Sequence, residues 1–275
     1  MFVLDSHVHL KHGDAAGTEY APETIAATMD EAGIDRSVVF AMSTTTRRSV
    51  EMADAAAHAF PGRLIPYVYA LPSFERQVLG EIDAAISERG FRGIKIHSGE
   101  CKLAPYIIDP VLDLAAKHDV PCLVDFRGDC AAPERMAAAF PKTMIIIAHL
   151  GKYLCEDGAL IDRFIRIAEA HDNVVLDASG VVLPKKIEQA VQRVGSARVV
   201  FGTDGPHEEP DTVAFARNEL GKILALDLSE EEKADVLGNS IARNDIRERM
   251  SNTLASGTFQ RQVSLKSTTL WAKNA

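Results

Sequence analysis

No run of apolar residues in the 275-residue sequence approaches the roughly 20 needed to cross a bilayer as a helix; those such as 144–148 are short. A membrane partner is therefore not expected. The four cysteines, Cys101, Cys122, Cys130 and Cys155, make no C-x-x-C pair, which argues against a zinc knuckle or a redox couple and for reduced thiols. Positive charge is also short: 30 basic residues stand against 39 acidic, a net charge of −9, and that field repels nucleic acid. The N-terminus lacks the basic stretch and long apolar segment of a secretory signal and reaches Asp5 and His7 at once, so cytoplasmic residence is the default expectation. No G-x-G-x-x-G follows the first apolar run, which removes the dinucleotide-binding form of an open sheet.

What the chain does have is 47% hydrophobic residues, enough for a sizeable core, arranged as a repeated alternation. Short apolar, β-branched runs occur at 2–4, 37–41, 64–69, 93–96, 121–126, 143–148, 174–177 and 198–202. Between them lie segments of helical periodicity, among them 23–32, 77–88, 111–118, 160–170 and 187–194. Strand, helix, strand with short connections means parallel neighbours reached by right-handed crossovers. Eight such units predict an α/β fold of one domain, a (β/α)₈ TIM-like barrel over residues 1–250. Residues 251–275 differ: Arg261, Lys266 and Lys273 with no acid and eight Ser or Thr make a basic Ser/Thr-rich C-terminal tail.

A barrel of this kind gathers its chemistry where the strands end at the C-terminal face. The apolar runs end in polar groups: Asp5-Ser6-His7-Val8-His9 after the first, Lys95-Ile96-His97 at the fourth, Asp125-Phe126-Arg127 at the fifth, His149 at the sixth and Thr203-Asp204 at the eighth. Side chains alternate along a strand, so His7 and His9 share one face and can reach one metal ion. A closed barrel sets the eighth strand beside the first, which brings Asp204 to the same ion. The bland readings are a core histidine bonded to backbone for His149 and a capping residue for Asp204. The convergence of five polar strand ends favours a site.

These motifs, with Gly93-Ile94-Lys95-Ile96-His97, Ala148-His149-Leu150-Gly151, Gly202-Thr203-Asp204-Gly205-Pro206 and Gly238-Asn239-Ser240-Ile241-Ala242-Arg243, resemble the amidohydrolase superfamily. The likeness is to the amidohydrolase-related branch of TIM-barrel metal-dependent hydrolases, which includes aminocarboxymuconate-semialdehyde decarboxylase and pyrone-dicarboxylate lactonase. The resemblance implies a distorted barrel, often paired as a homodimer, with one divalent metal ion, Zn or Mn, on His7 and His9. It also implies Asp204 as ligand and proton acceptor, and His149 as the group that orients water or polarises the substrate.

The branch usually carries a metal-binding His at the end of strand five, where this chain has Asp125. Two readings stay open. Asp125 is a ligand beside His7, His9 and Asp204, favouring a harder ion such as Mn²⁺; or it forms a salt bridge with Lys95 and no metal binds, as in the lactonases. Arg47, Arg48, Lys102, Arg127 and Lys152 follow strand ends, and cations at the mouth suit an anionic small-molecule substrate. Arg127, Lys95 and His97 are the candidate substrate-binding residues. The functional expectation is a hydrolase of a small ester, lactone or amide with Asp204 as general base. A non-oxidative decarboxylase on the same scaffold is the runner-up, and a non-catalytic binding protein ranks last.

Overall fold

The computed structural model describes residues 1–239, so the basic tail at 251–275 and the end of the Gly238-Asn239 motif lie outside the described residues. The strands are β1 (Leu4–Lys11), β2 (Arg36–Ala41), β3 (Leu64–Pro66), β4 (Val68–Tyr69), β5 (Ile94–His97), β6 (Cys122–Asp125), β7 (Ile145–Ile147), β8 (Val174–Asp177) and β9 (Val199–Val200). The helices are α1 (Pro22–Ala32), α2 (Thr46–Ala59), α3 (Leu79–Arg89), α4 (Pro105–His118), α5 (Ala131–Ala139), α6 (Gly158–Ala170), α7 (Pro184–Val194), α8 (Thr212–Leu224) and α9 (Glu230–Ala234). Local chemistry sets many of their ends. Proline opens α1, α4 and α7, the Asp157 carboxylate caps α6 by accepting from the amides of Ala159 and Leu160, and left-handed Gly33 and Gly90 stop α1 and α3.

All neighbouring strands pair in parallel, in the orders β1-β2-β3 and β4-β5-β6-β7-β8-β9. The two sheets share one chain segment. The expected third strand is interrupted at Tyr67, whose amide donates to Val39 O while that of Val68 donates to Gly93 O, so β3 faces β2 and β4 faces β5. On the other side residues 201–205 continue β9 along β1, through Ser6 N to Phe201 O (3.0 Å), Asp204 N to His7 O (2.8 Å) and His9 N to Gly205 O (2.7 Å). The result is a (β/α)₈ barrel.

Alternation sorts the core into two layers. Leu4, Val38, Phe40, Tyr69, Leu123, Ile146, Val175 and Val200 cluster inside the barrel, while Ile94, Ile96, Cys122, Val124, Ile145 and Ile147 pack outward in the larger cluster with the helices. Lys95, between Ile94 and Ile96, therefore projects inward. The first strand departs from the expected 2–4: it runs to Lys11, so Asp5, His7 and His9 lie within it and are buried. Apolar patterning misses this stretch because its inward residues are ionisable, and they tolerate burial only because each has polar partners. Among the described residues no helix is long and apolar enough to cross a membrane.

After β7 the chain makes a tight turn, Ala148–Gly151, with His149 at φ 59°, Leu150 at φ 48° and Gly151 at φ 109°. This left-handed backbone aims His149 into the barrel. A Cβ on Gly151 would stand 2.1 Å from the Phe164 ring of α6, so only glycine fits. Gly151→Ala is expected to cost about 2–3 kcal/mol of stability in a denaturant melt; a melt unchanged from wild type would contradict this packing.

Candidate active site

Asp5 comes first along β1, and its role is to bind β1 to the segment after β9. Its carboxylate accepts from His7 N (3.1 Å), Thr203 N (2.9 Å) and Thr203 Oγ1 (2.6 Å). Burial nevertheless pushes this carboxyl up to about 7.

His7 and His9 project inward as period-two alternation requires. His7 Nδ1 lies 3.0 Å from Asp177 Oδ2 and 3.2 Å from Ser179 Oγ. An ionised carboxylate only accepts, so Nδ1 carries the proton and Nε2 presents a lone pair to the barrel axis. That Nε2 is 3.1 Å from Asp204 Oδ1 and 2.9 Å from Lys95 Nζ. Two lone-pair atoms at 3.1 Å repel unless positive charge stands beside them, and the Lys95 ammonium supplies it here. His9 Nε2 is 2.9 Å from the same ionised Asp204 oxygen and donates its proton to it, while its buried Nδ1 has no partner among the described residues.

This donor set suits a divalent ion. His7, His149 and Asp204 each offer an atom within 4.8 Å of the others, and His9 Nε2 adjoins Asp204. The Asp177 to His7 bond orients the imidazole as metal-binding histidines are commonly oriented. Lys95 is the ion's rival for His7 Nε2. Burial pushes its ammonium pKa down, while the charges of Asp125, Asp204 and Asp177 pull it back up. Burial likewise lowers both histidines, His9 the further. For Asp204 burial acts upward, but His149, His7 and His9 together hold it well below the usual carboxylate range.

His149 stands between two carboxylates. Its Nδ1 donates to Ser179 O (3.0 Å), which turns Nε2 towards Asp125 Oδ2 (3.7 Å) and Asp204 Oδ1 (4.0 Å). Asp125 is joined to His97, at 3.1 Å from Nε2, and its Oδ1 accepts from Arg127 N (2.8 Å). His97 Nδ1 accepts from Gly99 N, so its Nε2 is the donor to Asp125. Asp125 thus lies beside the His7, His149 and Asp204 group, reached through His149. The direct Lys95 to Asp125 bridge that the sequence allows is not formed, since Lys95 Nζ sits on His7 Nε2 and 4.9 Å above the Phe40 ring.

These groups floor a cavity of about 690 Å³. Of the five cations after strand ends, Arg127 and Lys152 line it. Arg47 and Arg48 belong to α2 and pair with Glu81 of α3 and Glu51 of α2. Arg127 is held at φ 51° by the hydrogen bond that its backbone N–H donates to Asp125 Oδ1. Asp177 and Ser179 are the polar residues that sequence reasoning passed over. The apolar run at 174–177 ended in an acid like its neighbours, and the same strand-end argument applied to it finds both.

The family described as Amidohydrolase matches residues 5–243. This chain belongs to the amidohydrolase family. No curated protein matches it. Solved structures share its fold at low identity. An amidohydrolase from Burkholderia multivorans with bound zinc is 17% identical at a TM-score of 0.71, covering 88% of this chain and 98% of that one. A 5-carboxyvanillate decarboxylase from Novosphingobium aromaticivorans, complexed with manganese and a nitrobenzoic acid, is 16% identical at 0.68, covering 88% and 95%. A 4-oxalomesaconate hydratase from Rhodopseudomonas palustris is 14% identical at 0.66, covering 93% and 99%.

In this amidohydrolase the Asp177 carboxylate fixes the His7 tautomer, so a Zn²⁺ or Mn²⁺ ion held through His7 would be expected to bind about 10-fold or more weakly in Asp177→Asn. Competition against a chromophoric chelator reads it, and undiminished affinity would show that His7 is not a ligand.

Proposed function

We propose that this amidohydrolase is a metal-dependent hydrolase of a small anionic ester, lactone or amide, with His7, His9 and Asp204 as metal ligands and Asp204 as general base. The observation that carries the reading is the contact of Asp204 Oδ1 with both His7 Nε2 and His9 Nε2 on the floor of a cavity. A divalent ion there would act as a Lewis acid, polarising a carbonyl and acidifying water. Asp204 accepts the proton of the attacking water and returns it to the leaving group. It is suited to this because its neighbours keep it ionised and its side chain is 13% exposed, within reach of a substrate.

His149 Nε2, aimed between Asp125 and Asp204, accepts from water as a neutral ring and polarises a carbonyl oxygen when it carries a proton. Asp125 and His97 support it from the far side, Asp125 being the further candidate ligand. Arg127 and Lys152 face the cavity and suit a substrate carboxylate. Lys95 stays ready to balance Asp204 when no ion is present.

A second reading is a non-oxidative decarboxylase that uses the same cations to hold a carboxylate; the decarboxylase among the structural relatives supports considering it. The Lys95 to His7 contact favours a third, a hydrolase that works without metal. A panel of aryl esters, lactones and hydroxybenzoates, assayed with and without added Zn²⁺ or Mn²⁺, separates the three: ester or lactone cleavage that needs the ion is expected. On whichever ester turns over, Asp204→Asn should lower kcat by about 10² to 10⁴ with little change in KM. Because Asp204 titrates well below the ordinary range, its protonation should add no acidic limb to the wild-type profile above about pH 4. Near wild-type turnover in the Asn variant would remove Asp204 from the mechanism.

A further inference from the structure

Tyr153 follows His149 by four residues, just past the turn, and the mechanism above does not use it. Its ring meets His149 edge-on at 5.1 Å between centroids, with 64° between the planes. On its other side is Gly180, at φ 61°, where a Cβ would stand 2.4 Å from two Tyr153 ring carbons. The next residue, Leu154, donates its amide to Gly180 O at 3.2 Å. The ring is therefore wedged between a candidate catalytic imidazole and a backbone that only glycine lets close. The side chain lines the cavity with His149 and Asp204, and no described residue hydrogen-bonds its hydroxyl. Burial, with the charges of Asp204 and Glu219, pushes the phenol up to about 12, so at neutral pH it keeps its proton.

A rigid aromatic ring that lines a cavity, with an O–H that has no partner among the described residues, calls for an acceptor on the ligand. We propose that Tyr153 is a catalytic residue whose hydroxyl donates a hydrogen bond to the substrate oxygen that gains negative charge during hydrolysis. The inference rests on the hydrolytic reading above. In the step, the water oxygen bonds to the carbonyl carbon and the C=O electron pair moves onto the carbonyl oxygen, which Tyr153 holds. Asp204 takes the water proton. When the pair returns, the bond to the leaving group breaks and Asp204 passes the proton to it. A donor fixed beforehand by its ring needs no reorganisation as this charge appears, which is where such a bond is most effective.

Tyr153→Phe removes the O–H and keeps the ring, so a purely packing role would leave binding unchanged. Phenylphosphonate, whose tetrahedral anionic oxygens resemble the charged intermediate, is titrated calorimetrically into the full-length, metal-loaded wild type and variant, with a thermal melt to check the fold. Affinity is expected to fall about 10- to 100-fold with an unchanged melt. On a substrate from the ester panel, kcat should fall while KM holds. Phosphonate affinity within twofold of wild type, or no saturable binding to wild type at all, overturns the assignment. The two readings fail separately. Ester turnover by wild type with unaltered phosphonate binding in Tyr153→Phe removes Tyr153 and keeps the hydrolase, whereas a wild type that cleaves no ester but loses phosphonate affinity in the variant removes hydrolysis and keeps the donor.

Discussion

Buried negative charge at the barrel mouth is the constraint on which the rest depends. Asp125, Asp177 and Asp204 all sit in or beside the cavity floor, with their side chains 8%, 0% and 13% exposed. Carboxylates so placed are costly unless cations or donors surround them. The chain supplies Lys95 and the imidazoles of His7, His9, His97 and His149 for the purpose, and each acid is assigned a different share. Asp177 takes the Nδ1 side of His7 and the Ser179 hydroxyl, Asp125 takes His97, and Asp204 receives the Nε2 atoms of His7 and His9. Asp204 is the acid whose imidazole partners can all be given up to an ion.

Scaffold geometry imposes this division. The pairing of β1 with residues 201–205, reinforced by Asp5 on Thr203, sets Asp204 across from His7 and His9 with no loop between them. The left-handed turn after β7 brings His149 in from the opposite side, and the Asp125 side chain both faces it and fixes the backbone of Arg127. The candidate catalytic groups and the candidate substrate cation Arg127 are thus parts of one hydrogen-bonded frame, so a change in one acid disturbs the orientation of the others.

Most of the architecture was legible in the apolar runs, because strands buried on both faces read as short uninterrupted hydrophobic stretches. The first strand was not, since its inward positions are Asp5, His7 and His9, and the third gave no sign that it divides at Tyr67 to change partners. For the site, period-two alternation was enough to pair His7 with His9, and barrel closure enough to add Asp204. The position of Asp125 relative to the others turned on side-chain directions across β5, β6 and the turn after β7, which strand spacing does not carry. Lys95 pairing with His7 rather than Asp125 is of the same kind. Asp177 and Ser179 meet His7, and Tyr153 meets His149, only in three dimensions.

In the proposed site His7, His9 and Asp204 together hold one divalent ion. Elemental analysis of protein purified without chelator, for wild type and for the His7→Ala/His9→Ala double variant, tests it most directly. About one equivalent of zinc or manganese is expected per wild-type chain and none in the double variant, with both chains folded, because these residues lie in the polar mouth and not in the packed layers. An equivalent of metal retained by the double variant, or a wild-type enzyme that turns over its substrate without any, would contradict it.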